Sequence, residues 1–108
     1  MNINITFRHV EATEAIKGYA HDKVGKLQKF LRQPMEAKVT LSIEKHEQVA
    51  EVRLNSGSEH YEAHERSSDL YAAIDKVIDK LERQINSGNS KGRRDGETLR
   101  GRPEDGAD

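Results

Sequence analysis

A chain of 108 residues, 33% hydrophobic and 34% charged, supports one domain with a small core and little apolar surplus. No run approaches the roughly 20 apolar residues that span a bilayer, so no membrane partner is expected, and strand-like alternation from residue 2 leaves no room for a signal peptide. The absence of cysteine excludes disulfides, cysteine-ligated zinc and thiol chemistry, which fits a reducing cytosol and a cytoplasmic location.

In chain order, Asn2 to His9 alternates Ile3, Ile5 and Phe7 with Asn4, Thr6 and Arg8, the pattern of a strand with one buried face. Thr13 is a candidate N-cap, because a hydroxyl oxygen can accept from a first-turn N–H, and Glu14 suits the positive end of the helix dipole. Ile16, Tyr19, Ala20, Val24, Leu27, Phe30 and Leu31 then keep a helical beat, which predicts a helix to Arg32 ended by Pro34. Gly18 and Gly25 fall on its polar side. Ala37, Val39, Leu41 and Ile43 alternate into a second strand, and Lys45 to Gln48 make a turn. Val49 to Asn55 predicts a third strand, with Ala50, Val52 and Leu54 inward. Asn55-Ser56-Gly57-Ser58 signals a hairpin, since glycine supplies the positive φ of a tight turn. Tyr61 and Ala63 face inward on a fourth strand, with His60, Glu62 and His64 outward.

The last element is the most strongly periodic. From Ser67 to Ser87, Leu70, Ile74, Val77, Ile78, Leu81 and Ile85 recur at three- and four-residue steps. Ser67 or Ser68 would cap this helix, with Asp69 in its first turn, and Gly88 would stop it. Residues 1–87 therefore form the domain, and residues 88–108 a flexible charged tail in which five bases balance five acids. The order is β-α-β-β-β-α. The fold class is α+β, a four-stranded mixed sheet with both helices packed on its one apolar face.

Net charge is −1, yet the charge is segregated. Between Thr13 and Arg32 five bases outnumber two acids; between Met35 and Arg66 seven acids outnumber four bases. One side can thus bind a polyanion while the other limits unspecific contact. On the last helix Lys76, Lys80 and Arg83 share one flank, within an arc of roughly 60°, and Asp75, Asp79 and Glu82 share the other. On the first, Lys26 borders the apolar arc and Lys23 falls inside it. An ammonium there needs an outlet, because burying it alone is costly; the groove between the helices is the natural one. Lys29 carries the charge onto the outer surface. Both basic flanks are expected to border that groove as a shared positive seam.

Other constellations carry little. His60, Glu62 and His64 share a strand face, but residues two apart lie about 6.6 Å from each other and cannot chelate without further ligands. No phosphate loop, nucleophile elbow or zinc-helix pattern occurs, so neither a metal, a cofactor nor enzymatic activity is expected. Tyr19 and Tyr71 fall on or beside apolar arcs and are read as core.

The segments NITF, ATEAIKGYAHDKVGKLQKF and DLYAAIDKVIDKLERQI resemble the bacterial ribosome hibernation promoting factors and the related ribosome-associated inhibitor A. The resemblance covers roughly residues 1–87. Its specific parts are T-x-A-I/L, Lys23 and Lys26 followed by Leu27, and D-x-Y-x-A-I-D…K-L…Q. It implies a fold similar to double-stranded RNA-binding domains. It also implies binding to the small ribosomal subunit and its 16S rRNA between head and body, over the channel for messenger and the A- and P-site transfer RNAs. By position, Lys23, Lys26 and Lys29 with Lys76, Lys80 and Arg83 are the implied RNA-binding residues. Translation would be inhibited sterically, by a protein that is a monomer off the ribosome.

Long family members carry a second domain that pairs ribosomes; this sequence resembles the short form, which needs a separate ribosome modulation factor to form dimers. The inhibitor type instead has a longer acidic tail that opposes dimers. The tail here, basic first and acidic last, matches neither pattern; the core reads closer to the promoting type. A free double-stranded RNA-binding module and a protein-interaction module acting on transcription are the competing readings.

Overall fold

The computed structural model describes residues 1–90, in the order β1 (Asn2–Arg8), α1 (Glu14–Gly25), a 3-10 segment (Lys26–Phe30), β2 (Met35–Glu44), β3 (Glu47–Ser56), β4 (Glu59–Ser67) and α2 (Leu70–Ser90). The sheet order is β1-β2-β3-β4. β1 pairs parallel to β2, with Ile3 opposite Ala37 and Phe7 opposite Leu41, while β2-β3 and β3-β4 are antiparallel. This is the mixed four-stranded sheet that the alternation predicts. Of the expected tail, residues 91–108 lie outside the described residues.

The core is the layer between sheet and helices. Val24 and Leu27 meet Ala37, Val39, Leu41, Val52 and Leu54 there, together with Ile74, Val77, Leu81 and Ile85. α1 packs over β1, and α2 over β3 and β4. The two helices also touch each other. Each strand turns its polar residues to the bare face, where Arg53 reaches Glu62 (3.1 Å) and Arg66 reaches Glu44 (3.0 Å).

Four local features depart from expectation. The first helix does not run to Arg32 as α-helix: it ends at Gly25 and tightens into the 3-10 segment, where glycine's cost and the approaching β2 both favour an early end. Gln28 holds that exit, donating to the Gln33 carbonyl (2.9 Å) and accepting from the Met35 N–H (2.8 Å). The cap of α2 is Asp69 rather than a serine, its carboxylate accepting from the Ala72 N–H (3.3 Å). Gly88 does not stop α2, which continues to Ser90; a helix can carry one glycine at a cost of about 1 kcal/mol. The β2–β3 turn is only Lys45-His46, both with positive φ (46° and 72°), so β3 starts two residues earlier than expected.

The second hairpin follows expectation. Gly57 has φ +60°, and a Cβ there would lie 2.8 Å from the Gln33 side chain.

Candidate nucleic-acid interface

The outer surface of the helix layer carries all six cations singled out in the sequence, but not as one seam. α2 sits so that Asp75, Ile78 and Glu82 turn towards α1. Together with Asp79, Lys76 and Lys23 they line a shallow hollow of about 420 Å³ between the helices. The groove wall on the α2 side is therefore acidic, and the expectation that both basic flanks border it is corrected. The reason is the sheet order: α2 lies over β3 and β4, which leaves its acidic flank towards α1 and its basic flank towards β4.

Lys23 is half-buried, as its place within the apolar arc requires. Its ammonium lies 5.4 Å from the centroid of the Tyr19 ring and emerges into the hollow. The acids opposite account for a cation tolerated at a core-facing position. Lys76 shares the hollow, so these two lysines are brought together. Lys26 and Lys29 lie beyond Gly25 on the 3-10 segment, both exposed, with the Lys29 ammonium 5.2 Å from the Phe30 ring centroid.

Each cation of α2 also has an oxygen partner. Lys76 donates to the Arg66 carbonyl (3.3 Å), Lys80 pairs with Glu65 of β4 (3.3 Å), and Arg83 pairs with Asp79 one turn back (2.9 Å). Gln84 continues this flank by donating to the Glu62 carbonyl (3.1 Å).

Of the two aromatic residues read as core, Tyr19 packs partly buried against it and Tyr71 is exposed. Tyr19 and Tyr71 meet edge to face with centroids 4.8 Å apart, and Tyr71 is 37% exposed. The Tyr19 hydroxyl donates to Asp75 (2.6 Å); that bond, with lesser help from desolvation, holds its pKa above the ordinary tyrosine value. Asp75 and Glu65, which partner these site residues, were not singled out in the sequence. The charge division of the α2 wheel was the only signal for Asp75, and Glu65, on β4, had none.

On the bare sheet face, His60 contacts Asn55, and Glu62 is held by Arg53. Among the described residues, no group of three or more His, Asp or Glu side chains is placed to hold a metal ion.

The family model described as Sigma 54 modulation protein / S30EA ribosomal protein matches residues 3–93. The chain belongs to that family. It is 38% identical over 93 residues to the Ribosome hibernation promoting factor of Escherichia coli, covering 84% of this chain and 96% of that one. The protein of the same name from Klebsiella oxytoca is 35% identical over 91 residues, with the same coverage. Among solved structures, the Protein Y N-terminal domain from Thermus thermophilus superposes with a TM-score of 0.76 at 34% identity, over 82% of this chain and 99% of that one. These relatives establish a ribosome-associated hibernation role for the family fold seen here. No helix among the described residues is long and apolar enough to cross a membrane.

Proposed function

We propose that this protein binds the small ribosomal subunit at the decoding channel through 16S rRNA, excludes messenger RNA and A- and P-site transfer RNA, and so silences idle ribosomes in the cytoplasm. The observation that carries the reading is the family match over residues 3–93, together with relatives named for ribosome hibernation over 84% of the chain. The surface supports it physically. Lys23, Lys26 and Lys29 form one set of cations and Lys76, Lys80 and Arg83 another, on the same helix layer, so two phosphate tracks can be held at once. The inhibition is steric, and the protein breaks no bond. With a separate ribosome modulation factor, it promotes ribosome dimers.

Sedimentation of a stationary-phase lysate tests this: the protein should travel with small subunits or whole ribosomes, and a protein left at the top of the gradient would refute the reading. Lys23→Glu combined with Lys80→Glu should abolish most of the binding while leaving the helical circular dichroism intact. An unchanged affinity would remove these groups from the interface. Binding should weaken steeply with added salt, as phosphate contacts demand. Repeating the sedimentation with the modulation factor, for the whole chain and for a chain cut after Ser87, decides whether dimers are promoted or opposed.

A further inference from the structure

The two cation sets differ in what holds them before any RNA arrives. Among the described residues, Lys23, Lys26 and Lys29 make no ion pair with a carboxylate; Lys23 and Lys29 rest on aromatic rings. Every cation of the α2 set already has an oxygen partner. Lys80 has Glu65, Arg83 has Asp79, and Lys76 has the Arg66 carbonyl. The Lys80–Glu65 pair is the more sheltered, with Glu65 only 30% exposed, and it ties α2 to β4 rather than one helical turn to the next.

We propose that Glu65, assisted by Asp79, restrains RNA binding at α2: it occupies the α2 cations in place of phosphate, and an RNA that engages them must first displace it. The inference rests on the ribosome reading above. A carboxylate and a phosphate compete for the same ammonium or guanidinium with similar geometry. An RNA of arbitrary shape can engage the three unpaired cations, but it must then break the α2 pairs one at a time with no second set of contacts in register. An RNA surface shaped to span both sets gains the free contacts and the exchanged ones together. Exposed and half-exposed pairs of this kind contribute up to about fivefold each, so the restraint is modest and is borne in full by an RNA that exchanges carboxylate for phosphate.

The experiment compares the parent chain with Glu65→Gln, Asp79→Asn, Glu65→Asp and Glu36→Gln. Glu36 is on the bare sheet face and, among the described residues, pairs with no cation, so its neutralisation changes net charge alone. Each protein is titrated against purified small subunits and against an unrelated RNA duplex over a range of salt. Glu65→Gln should bind the unrelated duplex two- to fivefold more tightly, with the slope of log affinity against log salt steeper by about 0.9, the value for one further phosphate contact. Asp79→Asn should do the same more weakly, because its pair is more exposed. Subunit affinity should rise at least as much as duplex affinity, because the RNA that engages Lys80 most strongly is the one that must break the pair. Glu65→Asp should behave as the parent.

Equal gains in Glu65→Gln and Glu36→Gln, or an unchanged duplex slope, would overturn the proposal and leave the ribosome reading standing. A parent chain that does not bind small subunits would instead end that reading, and this one with it.

Discussion

α1 and α2 lie side by side on the same sheet, yet they are built on different terms. α2 buries Leu70, Ala73, Ile74, Val77, Ile78, Leu81 and Ile85 along one continuous stripe, with Val77, Leu81 and Ile85 fully enclosed. α1 buries Ile16, Ala20 and Val24, carries two glycines, and passes at Gly25 into a 3-10 segment whose own anchor is Leu27. The cations divide along the same line. Lys23, Lys26 and Lys29 extend from a less regular element and, among the described residues, make no ion pair with a carboxylate, whereas Lys80 and Arg83 of α2 are each paired with one. The difference teaches that a helix fixed by its core can spend its polar flanks on neighbouring strands. A helix with a thinner core keeps its charges available to an outside partner.

Truncating the two anchors tests that contrast most severely. Leu81→Ala removes a fully buried side chain in the middle of α2, where the neighbours cannot collapse into the space, and should cost near the top of the ~2–5 kcal/mol range for such changes. Leu27→Ala removes a side chain that is 1% exposed, but in a short segment next to a loop that can settle, and should fall near the bottom of that range. Urea denaturation of both variants measures the gap. Equal losses would mean that the 3-10 segment is as firmly locked as α2, and the contrast would fail.

The opposite change should narrow the contrast. A Cβ at Gly18 meets nothing within 4 Å, on the exposed side of α1. Gly18→Ala should therefore stabilise the fold by about 0.8–1 kcal/mol through helix propensity alone. Loss of subunit binding in a variant that melts at higher temperature would show that RNA backbone packs against that bare position. Unchanged binding would leave Gly18 as a tolerated weakness.

Much of this architecture could be read before any coordinates. Period-two alternation located all four strands, because each strand buries one face only, and the Gly57 turn was legible because only glycine takes that φ without strain. The turn at Lys45 was located, but not its tightening to Lys45-His46: the two positive-φ residues are neither glycine nor asparagine, and the register of Glu44 against Glu47 imposes them. For the site, the helical wheel separated the charges of α2 correctly into two flanks. It could not say which flank faces α1, since the wheel is blind to where the neighbouring helix lies. That is decided by the sheet order, which the local sequence of α2 does not encode. The Tyr71 reading missed because its position only borders the apolar arc, where the ring meets Tyr19 edge to face and stays exposed.

The smallest expected effect concerns the flank α2 turns to β4. β4 is an edge strand, and its outward carbonyls at Glu62 and Arg66 are met by Gln84 and Lys76 from α2. An edge that presents free backbone groups invites pairing with another chain, and side chains laid across it discourage that. Gln84→Met keeps the packing of the stem but removes the donor. The Glu62 carbonyl it abandons lies at the rim, where water replaces the lost bond, so the cost should be only about 0.5 kcal/mol, the low end for a neutral hydrogen bond. Urea denaturation should show the midpoint falling slightly with an unchanged slope. A loss above about 2 kcal/mol would mean that water does not reach the carbonyl. In that case the α2–β4 seam would be a sealed part of the core rather than a covered edge, and Lys76 and Lys80 could not be drawn from it towards phosphate at small cost.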